Sequence, residues 1–346
     1  MSAWPDRRFE ALLGSSLPIV VAPMAGAAGV ELAAAAIGGG AVGSLPCAML
    51  SPDEARAQAA EVRARAGGPL NLNFFCHVMP EPVDDGAWRA LLRPFYEEAG
   101  VAEPESAAVS RHPFDAAMCA VVEEVRPELV SFHFGLPAPD LLARVKATGA
   151  RILGNATTVA EARALGAQGV DAIIAQGWEA GGHAGRFLGA PPEEQMGLIA
   201  LLPQIVDATG LPVVAAGGIA DARGIAAALI LGAAAVQIGT AYLHCPESPI
   251  APAHRKGLTS EAAEHSRFTN LYSGGLARSL PSPLTERLGA VRAEVPPFPL
   301  GGSALASLRL RPMWAGQAAG LGRPEPARAL TERLGREALA LLGDRA

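Results

Sequence analysis

A repeated unit of chain constrains the fold more than any other feature of the sequence. In it, a short apolar run rich in β-branched residues leads through a glycine-rich turn into a helix rich in Ala, Leu and Arg. Apolar runs without polar alternation are typical of parallel strands covered by helices, and strands alternating with helices are typical of βαβ units. The predicted strands are residues 17–22, 41–42, 70–74, 129–132, 151–155, 170–175, 211–215 and 235–238. Eight units in roughly 250 residues predict an α/β fold, the (β/α)₈ TIM barrel.

A doubly wound Rossmann sheet is the alternative fold. Its GxGxxG fingerprint should follow the first strand directly, but Gly26-Ala27-Ala28-Gly29 stands there and lacks the first spacing. We therefore favour the barrel. Beyond residue 245 the pattern changes to Pro- and Gly-rich chain with Arg-rich helical stretches and no clear strand series. We expect residues 1–245 to form the barrel and residues 246–346 to form a mainly helical segment packed on it.

Composition excludes several functional classes. The chain has 346 residues and a net charge of −6, which is a poor basis for binding nucleic acid. Four cysteines without CxxC spacing predict neither a disulfide framework nor a metal site, so we expect a cytoplasmic protein. The uncharged stretch 224–243 is interrupted by Gly232, which favours a helix, a turn and a buried strand over a membrane span.

The stretch after the sixth predicted strand is the most informative for function. In a barrel of this kind, functional residues lie just beyond the carboxyl ends of the strands. Gln176 would present an amide there, and Gly181 and Gly182 would let a planar ligand lie against the backbone. His183 then follows as a candidate base or anion-binding group.

The seventh and eighth strands end in the glycine-containing turns where barrels commonly bind phosphate. Gly217 and Gly218 follow the seventh strand, and Gly239 and Thr240 follow the eighth. Main-chain N–H groups and a helix N-terminus can hold an oxyanion at such a place without a lysine. A phosphate site beside a mouth that contains Asn, Gln and Gly suits a phosphorylated planar cofactor such as FMN.

Three other strand ends carry candidate residues. The first strand is followed by Pro23 and Met24, the third contains Asn71 and Asn73, and the fourth ends with His133 between two phenylalanines. An asparagine can donate and accept hydrogen bonds towards a heterocycle, and a histidine at a barrel mouth can bind substrate or donate a proton.

Taken together, these stretches resemble class I of the nitronate monooxygenase family, formerly called 2-nitropropane dioxygenases. The EAGGH part is shared with flavin-dependent enoyl-ACP reductases, and the combination with SFHFG and WAGQ favours the nitronate enzymes. The matching stretches are APM (22–24), NLNFF (71–75), SFHFG (131–135), AQGWEAGGHAGRF (175–187), AAGGIAD (215–221), QIGTAYL (237–243), FTNLYSGGLAR (268–278) and MWAGQ (313–317).

The resemblance implies a barrel with non-covalently bound FMN. It also implies oxidation of alkyl nitronates, such as propionate 3-nitronate, by O₂ to a carbonyl product and nitrite through a flavin semiquinone, without reduced nicotinamide. Carried over by position, the expected contacts are Ala22, Met24, Asn71, Gln176, Gly181 and Gly182 with the flavin ring and Gly217, Gly218, Gly239 and Thr240 with the phosphate. His183 would act at the substrate, with His133 beside it.

The sequence departs from the family pattern at three positions, which leaves the substrate open. Gly275, Ala241 and Phe298 stand where relatives often carry Arg, Arg and Tyr. Two other functions therefore stay open: an NAD(P)H-dependent flavin enoyl-ACP reductase and a non-catalytic flavin-binding sensor. We expect small-molecule partners only, with no nucleic acid and no membrane, and the sequence leaves a homodimer open.

Overall fold

Eight parallel strands form a closed barrel in the computed structural model, which describes residues 4–104 and 111–343. They follow one another around the barrel in the order β1-β9-β8-β6-β5-β4-β3-β2. The main-chain N–H of Val21 donates to the Val42 carbonyl at 2.9 Å and so joins β1 to the chain entering β2. The strands are β1 (Ile19–Val21), β2 (Gly43–Pro46), β3 (Leu70–Phe75), β4 (Leu129–His133), β5 (Arg151–Ala156), β6 (Ala172–Gln176), β8 (Val213–Ala216) and β9 (Ala235–Ile238), with β7 (Gly182–His183) outside the barrel. The predicted (β/α)₈ fold is confirmed.

Helices surround the barrel and cover its outer face. The first turns of several helices carry side-chain caps, such as Ser51 with Glu54 and Asp221 with the N–H of Gly224. The helices are α1 (Arg8–Leu13), α2 (Val30–Gly38), α3 (Pro52–Arg65), α4 (Gly86–Ala99), α5 (Ala116–Val125), α6 (Pro139–Ala147), α7 (Val159–Ala167), α8 (Leu198–Thr209), α9 (Ala222–Ile230), α10 (Thr240–Leu243), α11 (Pro252–Leu258), α12 (Pro283–Leu288) and α13 (Ala327–Gly343).

Strand β3 shows how side-chain alternation positions the site. Leu70, Leu72 and Phe74 are fully or almost fully buried in the apolar layer between the strands and the helices. Because successive side chains in a strand point to opposite faces, Asn71 and Asn73 point into the barrel.

The segment after residue 245 contributes more than helices. Strands β10 (Arg267–Thr269) and β11 (Ala277–Ser279) form an antiparallel sheet with β7, in which Ala277 pairs with His183. The sequence showed no strand series here because each of these strands has only three residues and is stabilised by pairing with its neighbour in the sheet. The domain boundary at residue 245 stays a prediction.

Helix α13 packs between α9 and α2, in the place of the eighth helix of the barrel. Leu330 and Leu334 are buried in the main apolar core, and the hydroxyl groups of Thr331 and Tyr242 are 2.7 Å apart. The last described helix therefore completes the outer layer of the barrel.

The uncharged stretch 224–243 contains most of α9, a turn and β9, as the sequence predicted, and ends in the short helix α10. None of the helices within residues 4–104 and 111–343 combines the length and the apolar character that a membrane crossing requires.

Candidate active site

A cavity of about 690 Å³ opens at the carboxyl ends of the barrel strands. Its size lies within the range of ~300–1,000 Å³ that is usual for ligand sites. All the predicted site residues except Asn71 line it. These are Ala22, Met24, His133, Gln176, Gly181, Gly182, His183, Gly217, Gly218, Gly239 and Thr240.

Asn71 lies below the cavity, inside the barrel. Its side chain is fully buried, its amide nitrogen donates to the Ser44 hydroxyl at 3.0 Å, and its Oδ1 has no partner among the described residues. Asn73, two residues nearer the mouth, lines the cavity and donates from its amide to the Ser131 hydroxyl at 2.9 Å. The contact of Asn71 with a cofactor ring stays a prediction, and Asn73 is the asparagine that the cavity reaches.

Gln176 uses its amide mainly to hold the loop that follows it. Its Nε2 donates to the main-chain carbonyl of His183 at 2.9 Å. Its Oε1 accepts from Asn155 at 3.0 Å and from the main-chain N–H of Gly185 at 2.8 Å. The side chain therefore lines the cavity and at the same time positions residues 183–185, a supporting role that the sequence did not reveal.

His133 is also tied to this loop. Its Nε2 lies 3.2 Å from the His183 carbonyl oxygen and donates to it, and its ring packs against Phe75 and Phe134 at centroid distances of 5.4 and 4.5 Å. Burial lowers the pKa of His133 to about 4. The ring is therefore neutral near pH 7, with its proton on the nitrogen that faces the carbonyl.

His183 stands on β7, beside the cavity, within a cluster of rings. Trp314 and Phe298 lie 5.4 and 5.1 Å away between centroids, and the Ser273 hydroxyl is 2.8 Å from Nε2. Burial lowers the pKa of His183 well below its usual value, and the charges of Arg111, His133 and His77 lower it further. Near pH 7 the side chain is a neutral imidazole.

Glycines make a wall of bare backbone on one side of the cavity. Gly182, Gly217 and Gly218 have φ values of 72°, 112° and 68°, which residues other than glycine rarely adopt. At Gly181 a Cβ would lie 2.6 Å from the main-chain nitrogen of Gly316. The absence of a side chain at Gly181 lets the main chain of residues 315–316 pack directly against it.

The segment 314–317 closes the cavity over this wall. The Gly316 N–H donates to the Thr240 hydroxyl at 2.9 Å, and the Gln317 N–H donates to the Glu179 carbonyl at the same distance. The Glu179 carboxylate accepts from the Leu198 N–H at the start of α8. The WAGQ stretch thus joins the loop after β6 to the loop after β9.

Sequence reasoning missed several cavity residues that come from distant parts of the chain. Arg111, Arg309 and Arg311 give the lining positive charge, and burial lowers the pKa of the Arg111 guanidinium. His254 on α11 also lines the cavity. No local pattern marks these residues, because the folding of the C-terminal segment over the barrel brings most of them to the site.

The residues around the cavity fit FMN. Gly181, Gly182, Gly217 and Gly218 line the cavity without side chains, and a Cβ at Gly239 would meet Ala22 at 3.2 Å and Met24 at 3.4 Å, so this part of the lining has room only for backbone. Gln237 lines the cavity, and its Oε1 is buried with no partner in the described part of the chain. That oxygen can accept a hydrogen bond from a bound heterocycle or sugar alcohol.

Comparison with known proteins places the chain among nitronate enzymes. The family model described as nitronate monooxygenase matches residues 8–321. A nitronate monooxygenase of Paraburkholderia phytofirmans is 42% identical over 94% of this chain and 93% of its own length. The nitronate monooxygenase of Pseudomonas aeruginosa is 40% identical over 94% of this chain and 97% of its own length.

Solved structures agree with these relatives. The structure of a nitroalkane oxidase from Streptomyces ansochromogenes is similar with a TM-score of 0.90 and 33% identity, over 98% of this chain and all of that one. FabK from Thermotoga maritima is similar with a TM-score of 0.75 and 25% identity, over 98% of this chain and 97% of that one.

Proposed function

Because the chain belongs to the nitronate monooxygenase family, we propose that it oxidises alkyl nitronates with O₂, using bound FMN, to a carbonyl compound and nitrite. The protein is an oxidoreductase. Propionate 3-nitronate is our first choice of substrate. A cytoplasmic location and a homodimer stay predictions.

The observation that carries this proposal is the position of His183. Its neutral ring stands at one side of the cavity, and the bare glycine backbone of Gly181 and Gly182 adjoins it. A nitronate is an anion, so a site for it needs a hydrogen-bond donor directed at its oxygens. A neutral imidazole provides one N–H for this purpose.

The surroundings of His183 exclude water from that hydrogen bond. Phe75, Phe298 and Trp314 pack around the ring at centroid distances of 6.2, 5.1 and 5.4 Å. A hydrogen bond between an imidazole and an anion is stronger in such apolar surroundings than in water. The positive charge of Arg111 in the same lining further favours an anionic substrate.

The residues assigned to FMN divide between two parts of the cavity. Ala22, Met24, Gln176 and the Gly181–Gly182 backbone would contact the ring, with Asn73 in place of the deeper Asn71. The turns after β8 and β9 would hold the phosphate. When bound, FMN would supply one-electron redox chemistry towards the nitronate and O₂. The chain would hold the anion at His183, orient it by aromatic packing and keep bulk water away.

An anaerobic visible spectrum of the purified protein tests the proposal. We expect flavin absorbance that bleaches when propionate 3-nitronate is added and does not bleach with NADH or NADPH. Bleaching by a nicotinamide alone would replace the proposal with the reductase reading. A protein that shows no flavin absorbance even after FMN is supplied would overturn the cofactor assignment.

A further inference from the structure

The side chain of Ser273 is hydrogen-bonded to the imidazole ring of His183. Its hydroxyl oxygen lies 2.8 Å from His183 Nε2, although the two residues are 90 positions apart in the sequence. Ser273 is completely buried in the turn between β10 and β11. Its contact with His183 joins the turn between β10 and β11 to the central histidine of the site.

The neighbours of the hydroxyl indicate the direction of this hydrogen bond. The main-chain N–H of Gly275 donates to Ser273 Oγ at 3.3 Å, so the oxygen already accepts one bond. Its own proton can go to the Gly275 carbonyl at 3.4 Å or to His183 Nε2 at 2.8 Å. If Nε2 carried a proton and donated to Oγ, the hydroxyl proton would be left with the 3.4 Å contact to the Gly275 carbonyl, which is longer than a good hydrogen bond. Donation from the Ser273 hydroxyl to Nε2 is the arrangement that gives this proton a partner at a good distance.

The protonation state of His183 determines how many N–H groups its ring carries. Burial and the neighbouring Arg111, His133 and His77 keep its pKa well below the usual value, so the ring carries a single N–H. Since Nε2 accepts from Ser273, this proton is on Nδ1.

The orientation of the ring agrees with this assignment. The Ser273–Gly275 turn lies along the edge formed by Nε2 and Cδ2, because a Cβ at Gly275 would be 3.4 Å from His183 Cδ2. The opposite edge, with Nδ1, is the one left for a ligand in the cavity that His183 lines.

We propose that Ser273 is a positioning residue that fixes His183 as the Nδ1–H tautomer and so presents a donor, rather than a lone pair, to the anionic substrate. The identity of that anion as a nitronate rests on the proposed function, and the tautomer itself does not. With the other tautomer, the lone pair of Nδ1 would face the anion and repel it.

The tautomer is measurable without turnover. The oxidised holoenzyme is labelled with ¹⁵N-histidine, and long-range ¹H–¹⁵N correlation spectra are recorded for the wild type, with a His183→Asn variant to assign the His183 signals among the seven histidines. We expect the wild-type spectrum to show a protonated Nδ1 and an unprotonated Nε2. A proton on Nε2 in the wild type would overturn the proposal, and this arm needs no substitution of Ser273.

Substitutions then test whether Ser273 is the cause. We expect Ser273→Ala to shift His183 towards the Nε2–H form and to raise the KM for propionate 3-nitronate about 10- to 100-fold, the effect of losing one hydrogen bond to a charged group. Ser273→Thr keeps the hydroxyl and should restore the wild-type tautomer. An unchanged tautomer in Ser273→Ala would overturn the proposal.

A second buried serine provides the matched control. Ser248 is 2% exposed and donates to the Ala27 carbonyl at 2.7 Å, away from His183. Ser248→Ala should leave the His183 signals unchanged, and a shift of equal size there would show that the tautomer follows general packing instead. If the wild type has the expected tautomer but does not oxidise nitronates, the proposed function fails and the inference about Ser273 stands.

Discussion

The main-chain carbonyl oxygen of His183 accepts two hydrogen bonds, one from His133 Nε2 at 3.2 Å and one from Gln176 Nε2 at 2.9 Å. Two side chains, from barrel strands β4 and β6, thus hold the backbone of the residue that carries the central imidazole. His133 and Gln176 hold the main chain of His183, and Ser273 holds its ring. The backbone and the side chain of His183 are therefore both fixed in position.

Replacing Gln176 by Leu should loosen the loop without removing any group from the substrate. The variant loses the bonds to the His183 carbonyl, to Asn155 and to the Gly185 N–H, and buried groups left unpaired cost about 1–3 kcal/mol each. We expect a lower melting temperature and a reduced kcat/KM. The control Gln204→Leu changes an exposed glutamine on α8 and should alter neither. A Gln176→Leu protein as stable as the wild type would contradict this role.

Replacing His183 by Ala should abolish nitronate turnover while FMN stays bound. The variant removes the hydrogen-bond donor at the anion, and losing such a group commonly lowers kcat/KM about 10²- to 10³-fold. The measurements are oxygen consumption with propionate 3-nitronate and the visible spectrum of the purified protein. His265→Ala, an exposed histidine far along the chain, is the control and should behave as the wild type. Unchanged kinetics in His183→Ala would rule out the role.

A Gly181→Ala variant should bind FMN much more weakly. The new Cβ would lie 2.6 Å from Gly316 N and 2.7 Å from the Ala315 carbonyl carbon, so backbone must move. Overpacking of this kind costs about 1–3 kcal/mol, which corresponds to roughly a 10- to 100-fold rise in the FMN dissociation constant. Titration of the apoprotein with FMN measures it. Gly67→Ala, where the new Cβ meets nothing within 4 Å, should leave the affinity unchanged.

Stability should fall between about pH 6.5 and pH 4 because of buried histidines such as His254. This residue is 6% exposed, and burial lowers its pKa to about 4. The positive charges of Arg255 and His244 also lower this pKa, whereas a hydrogen bond with the Trp314 backbone raises it. In the unfolded chain the pKa is about 6.5. Between these values the unfolded state binds a proton that the native state does not, so stability is full above the upper value and decreases as the pH falls.

The variant His254→Gln tests this dependence. Its melting temperature should decrease less between pH 7 and pH 5 than that of the wild type, because one proton-binding difference has been removed. Equal slopes for the two proteins would show that His254 does not contribute.

Arg278 should be intolerant even of lysine. The residue is 3% exposed, and its guanidinium lies 4.4 Å from the centroid of the Phe268 ring and donates to the carbonyls of Trp178 and Ser266 at 2.9 Å. Burial lowers its pKa to about 10, so it stays charged near pH 7. Lysine lacks the planar fork, and we expect Arg278→Lys to lose about 2–3 kcal/mol in chemical denaturation. Arg267→Lys, at an exposed ion pair with Glu286, should lose less than 1 kcal/mol.

The barrel was predictable from the sequence because each of its strands and turns has its own local sequence pattern. Each strand is a short apolar run, and the turn after it contains the glycines that its backbone requires. Since the carboxyl ends of all eight strands meet at one end of a barrel, residues such as Gly218 and His183 could be assigned to a common cavity.

Other features depend on contacts between distant residues and left no local signal. The choice between Asn71 and Asn73 depends on how deep the cavity reaches, and the role of Gln176 depends on where the loop carrying Gly185 turns back. Ser273 meets His183 only because β11 pairs with β7. The stretch after residue 245 carried motifs such as WAGQ, but the motifs did not show what those residues contact.

Helix α13 fills the last gap in the outer layer of the barrel, and the strands that support the site come before it in the chain. During synthesis, domains fold as units and the N-terminal part of the chain emerges first. The barrel strands therefore leave the ribosome well before the helix that covers α2 and α9, and their apolar outer surface there stays open until α13 arrives. A nascent chain stalled before residue 327 should consequently recruit holdase chaperones, and one that includes α13 should be released from them.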